Sequence, residues 1–295
     1  MLGDPAAAQD SAAAGLSSRY GAMRAQLEAS PLGVPVVVTS SEDGEQVRGE
    51  VHALLPMPFE DLSARLSVPR DWCQIVLLHL NVKACTHERA ASQDWLTVHS
   101  GRKTHENVGK TYPLRFAFRA TRAGTDQLDI DLSAATGPMG TRDYRLALAA
   151  VAVPQGSFLR FSYAYRSSTL SRLAVGTYLA TIGRDKVGFT VVGKGRDGQP
   201  EYVGGDRGIV ERNAVRYYFA IQAYLEGFAV PGAQRVERNL GRWFELTERY
   251  PTQLRELERS EYLRGKLKDF DEQSRRQRAL DAAGAGAGAV PAPAQ

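Results

Sequence analysis

The side chains with the widest chemical scope in this chain are two cysteines and five histidines, and their spacing assigns them little. Cys73 and Cys85 lie in the run DWCQIVLLHLNVKACTH, with His79 between them and His87 just beyond. Zinc sites use closely spaced Cys and His pairs. The pattern here, Cys-x5-His-x5-Cys-x-His, matches none of them. Two readings stand side by side. One is a disulfide stapling a helix to the strand after it, which implies an oxidising compartment; the other is a pair of unlinked, buried thiols. His52, His79, His87, His99 and His105 show no ligand-like spacing, and the chain has no G-x-S-x-G elbow, P-loop, G-x-G-x-x-G or H-E-x-x-H. Gly193-Lys194-Gly195 falls between two strands and lacks the helix N-terminus that would bind a phosphate. These patterns assign no catalytic residue, no metal ligand and no cofactor.

Polar groups on otherwise apolar faces are better candidates, and they point to binding. Tyr163 and Tyr165 share a strand face, and each hydroxyl needs a partner if buried. Asn213 and Tyr217 sit one turn apart on a long helix. With Phe116, Phe118, Tyr144 and Phe161 they are the candidates for the ligand-binding set that the resemblance given below implies. The competing reading for each aromatic is plain core packing. Arg142 and Asp143 follow a Gly-Pro-Met-Gly turn, where charges more often fix a strand start than line a pocket.

The elements that must position these residues follow from periodicity. Val34–Thr39 and Gln46–Leu55 read as a hairpin closed by Glu42-Asp43-Gly44-Glu45. Pro58 and Pro69 open two short amphipathic helices, which carry Phe59, Leu62 and Leu66, then Trp72, Ile75 and Val76. The period then drops to alternation through Asp94–Gly101, Tyr112–Ala120, Gln127–Ser133, Asp143–Val153 and Ser157–Arg166. Turn residues separate these strands, as in an antiparallel meander with one polar face. Helical character returns over Ser168–Gly183. A small hairpin comes next at Phe189–Val192 and Glu201–Val203, then a long helix from an Asp206 cap to Gly227. A charged helical tail begins at Pro231.

Strands, two short helices, a meander and a long helix are the element order of the helix grip. The segment from about Val34 to Phe228, with DWCQIVLLHLNVKAC, GPMGTRDYRL, SYAYRSS and IGRDKVGFTVVG, resembles the START/birch-pollen-allergen superfamily, in particular an uncharacterised bacterial branch. The resemblance implies an α+β fold: a curved antiparallel sheet around a long helix, with an extra helical tail. It also implies binding, and with it transport, of an apolar small molecule, lipid- or sterol-like, in an internal cavity. An enzyme acting on such a molecule in the same cavity, and a partner-binding protein using the tail, are the alternatives. A void of several hundred Å³ between sheet and helix is the expected mark of such a site.

Composition bounds the rest. At 295 residues and 43% hydrophobic content the chain can bury a large core. A formal charge of +4 is spread among mixed Arg and Glu with no basic stripe, which argues against nucleic acid as partner. No apolar run approaches the roughly 18 residues of a membrane span, so any membrane contact is transient. The expected organisation is a disordered leader over 1–18, the grip domain over 19–228, a charged helical extension over 229–280 and a low-complexity tail over 281–295. The Ala-rich start lacks a secretory signal's basic and apolar regions, and suits either a disordered leader or the new N-terminus left by a removed signal. A bridged cysteine pair would place the chain in the periplasm or another extracytoplasmic compartment, and unlinked thiols in the cytoplasm.

Overall fold

The computed structural model describes residues 5–167 and 186–287; the helix expected over Ser168–Gly183 lies outside the described residues. Eight strands form one antiparallel sheet in the order β1-β2-β8-β7-β6-β5-β4-β3. They are β1 (Val36–Asp43), β2 (Gln46–Leu55), β3 (Val82–Ala90), β4 (Gln93–Ser100), β5 (Tyr112–Ala123), β6 (Gln127–Thr136), β7 (Arg142–Val153) and β8 (Gly156–Arg166). A separate two-stranded hairpin joins β9 (Val191–Lys194) to β10 (Pro200–Tyr202). The helices are α1 (Pro5–Glu28), α2 (Phe59–Leu66), α3 (Pro69–Leu77), α4 (Gly205–Glu226), α5 (Gly232–Glu248), the short α6 (Pro251–Leu254) and α7 (Arg259–Ala287). This is the expected α+β helix grip, with α4 as the gripped rod.

Strand parity decides what each sheet face does. Val47, Val51, Phe161, Tyr165, Leu148, Leu146, Ile130, Leu132, Phe116 and Leu96 are buried on the face towards α4. The pairing Gly49↔Tyr163↔Leu146↔Leu132↔Phe118 runs straight across the sheet. Gly49 sets how close the rod comes: a Cβ there would lie 2.4 Å from the Val210 carbonyl oxygen of α4. No larger residue allows that approach.

Several expectations change. The leader read as disordered is helical from Pro5. Its Leu16, Tyr20, Met23 and Leu27 recur at helical spacing and pack on Val151, Val153 and Phe158 of the opposite sheet face. This weak period is masked in the sequence by the surrounding alanines. The low-complexity tail is likewise helical as far as Ala287. The long helix is capped by Gly204 without a side-chain hydrogen bond, and Asp206 sits in the first turn instead, where its charge suits the helix dipole. Arg142 and Asp143 lie at the exposed start of β7, and Arg142 bridges to Glu45 in the β1–β2 turn.

The charged tail does not stand apart from the grip. Leu240, Trp243, Leu246, Leu254 and Tyr262 join the main core, and α7 lies along β3, the sheet's far edge. Gln273 accepts from the Cys85 backbone N–H at 2.8 Å. Gln277 accepts from the His87 N–H at 2.8 Å and donates to the His87 carbonyl at 2.9 Å. Four helical residues advance about 6 Å and two strand residues about 6.7 Å, so glutamines one turn apart serve alternate residues of an edge strand. Edge groups that would template another strand are thereby satisfied within the chain.

Candidate functional site

The candidate site lies where β4–β8 face α4. Tyr144 stacks on Tyr165 at 5.3 Å between ring centres and meets Tyr163 edge-on at 6.2 Å. Tyr163 contacts Tyr217 of α4 at 5.7 Å, and Phe161 contacts it at 6.2 Å. Between these rings lies a cavity of about 70 Å³, lined by Phe116, Tyr144, Tyr163 and Tyr217 with Leu114, Leu146 and Val82. This is far below the expected several hundred Å³. The tyrosines, Phe161 and His79 occupy the space that a curved sheet leaves under one helix.

Four of the sequence candidates therefore line the cavity, while Phe161 and Tyr165 back it. Phe118 does not belong there. Its ring packs against Trp72 at 6.3 Å, beyond the cavity's walls. Asn213 is a turn from Tyr217 but turns its side chain to His79, with His79 Nε2 and Asn213 Oδ1 at 3.3 Å. His79 itself was not readable as a site residue. It stacks on Tyr217 at 4.6 Å, and its Nδ1 accepts from the Asn81 backbone N–H at 3.2 Å. With Nδ1 accepting, Nε2 carries the proton and donates to Asn213. The sequence signal for it was slight: one polar ring inside the apolar run IVLLHL.

Burial sets the electrostatics of this site. It pushes the hydroxyl pKa of Tyr144, Tyr163 and Tyr217 up, so all three stay neutral donors. Burial, assisted by the charges of Arg216 and Lys266, pushes His79 well below its ordinary value and keeps it neutral. Tyr144 shares a hydrogen bond with Thr141 at 2.9 Å. The site is thus uncharged and largely apolar, with hydroxyls at one wall. It can hold an apolar body and meet one polar group.

Outside this wall the ion pairs are structural. Lys266 and Lys83 approach the buried Asp269 at 3.0 and 3.6 Å, and His105 reaches it at 2.8 Å. Glu256 is met by Lys103 at 2.6 Å and Arg216 at 2.9 Å. Both clusters tie the C-terminal segment to the grip. Cys73 of α3 and Cys85 of β3 are joined in a disulfide, with Cα atoms 5.0 Å apart. Among the described residues no group of three potential metal ligands exists, and no helix is long and apolar enough to cross a membrane.

No protein-family model matches the chain, and no curated protein sequence does. Solved structures similar to it include a STAR-related lipid transfer protein from Xanthomonas axonopodis, at 12% identity and TM-score 0.36, covering 65% of this chain and 92% of that one. Human StAR-related lipid transfer protein 5 is similar at 9% identity and TM-score 0.29, with coverage of 58% and 90%. Ara h 8.0201 is similar at 12% identity and TM-score 0.31, with coverage of 47% and 91%.

Proposed function

We propose that the chain binds an apolar small molecule carrying one polar group, held between the sheet and α4. The observation that carries this reading is the cavity itself: Phe116, Leu114 and Leu146 line it with Tyr144, Tyr163 and Tyr217, whose hydroxyls burial keeps neutral. A polar group buried on a ligand is costly unless paired, and a neutral tyrosine hydroxyl in the wall can supply its hydrogen bond. Apolar walls from Phe116, Leu114 and Leu146 supply the hydrophobic term, at about 25 cal/mol per Å² removed from water. The present cavity admits one or two water-sized groups, at about 30 Å³ each. A lipid- or sterol-like ligand therefore enters by parting Tyr217 and His79 from the sheet, and transport would follow from that opening. Extraction of purified protein into organic solvent, followed by mass spectrometry, tests the reading. A stoichiometric apolar compound supports it. Protein that is empty and takes up no fluorescent fatty acid or sterol contradicts it. Tyr217→Phe should weaken such a ligand about tenfold, the worth of one buried hydrogen bond.

We further propose an extracytoplasmic location, motivated by the Cys73–Cys85 disulfide. Thiol titration of denatured, unreduced protein taken directly from its source should find no free thiol; two free thiols would contradict it.

A further inference from the structure

A second concavity lies outside the grip, where the C-terminal helices meet α3 and the end of α4. It measures about 270 Å³, several times the cavity under the rod, and exists only because α5 and α7 wall it in. Leu77, Leu78, Leu240 and Phe270 give it an apolar lining. Two groups of opposite charge also line it, Asp71 and Arg235, and neither makes an ion pair among the described residues. Asp71 accepts from the Tyr224 hydroxyl and feels Arg65 and Arg235 only as nearby charges, while burial pushes its pKa up. Arg235 lays its guanidinium on the Phe228 ring at 4.1 Å, and its Nε is buried with no acceptor.

A guanidinium and a carboxylate that line one apolar groove without an ion pair define a narrow ligand class. A simple anion would meet Asp71, and a simple cation would meet Arg65 and Arg235; like charges disfavour both. A molecule carrying both charges satisfies each with a charge-assisted hydrogen bond and brings no net charge into the groove. We propose that this groove binds an apolar α-amino acid, with its ammonium on Asp71, its carboxylate on the Arg235 guanidinium and its side chain against Leu77, Leu240 and Phe270. A volume of about 270 Å³ suits a molecule of amino-acid size.

Isothermal titration of the full chain with L-phenylalanine, 3-phenylpropanoate and 2-phenylethylamine tests this. The amino acid should bind, with each one-charge analogue at least about tenfold weaker. Asp71→Asn should erase the preference over 3-phenylpropanoate, and Arg235→Gln the preference over 2-phenylethylamine. Absence of phenylalanine binding up to about 10 mM, or equal affinity for all three compounds, overturns the proposal. Should either variant fail to fold, the analogue series on the unaltered protein decides alone.

Discussion

His52 shows how one side chain can carry a pH dependence. It is 2% exposed under α1, both ring nitrogens lack partners, and its ring lies beside Phe158. Burial is the main cause that pushes its pKa down to about 4; Arg19 and Arg160 push the same way and Glu50 opposes. The unfolded ring titrates near 6.5, so between there and pH 4 the unfolded chain binds a proton that the folded chain refuses. Stability is therefore full above that range and falls as pH drops through it. The loss at pH 5 should be about 2 kcal/mol relative to pH 8. Urea denaturation at the two pH values checks this, and His52→Leu should flatten the difference while raising stability at pH 8. The tyrosine wall was legible because strand parity alone places Tyr144, Tyr163 and Phe116 on one face. His79 was not, because its role depends on an α3–β3 turn delivering it to Asn213 and Tyr217 across 134 residues of chain.

Elements meet through details that periodicity does not carry. The hairpin, the two short helices, the meander and the long helix were all readable from apolar spacing and turn residues. Strand β3 shows no clear period in the sequence, since Lys83, His87 and Glu88 interrupt its pattern. Those polar residues belong to an edge strand whose neighbour is a helix. The α7 clamp accounts for this, and Gln273→Ala with Gln277→Ala should cost about 2–4 kcal/mol by orphaning backbone groups at Cys85 and His87. Thermal melts measure the loss, and light scattering should show the bared edge promoting association. Gly49→Ala tests the rod's seat. The Val210 carbonyl must move, so a loss of about 1–3 kcal/mol is expected in denaturant titrations; an unchanged midpoint would mean the helix does not rest there.

At the scale of the whole molecule, the sheet, α4 and the C-terminal helices share one core, fastened at α3–β3 by the disulfide. Replacing both Cys73 and Cys85 by Ala should cost about 3 kcal/mol for a loop of this size, read as a lower denaturation midpoint. The size of the interior space could not be read from sequence, because it depends on rotamers of rings already known to point inward. The direct measurement is fluorine NMR of protein labelled with 3-fluorotyrosine, titrated with a fatty acid. Shifts confined to Tyr144, Tyr163, Tyr165 and Tyr217 are the predicted result. An unchanged spectrum, or shifts only at outlying tyrosines such as Tyr112 and Tyr202, would contradict a ligand seat under α4.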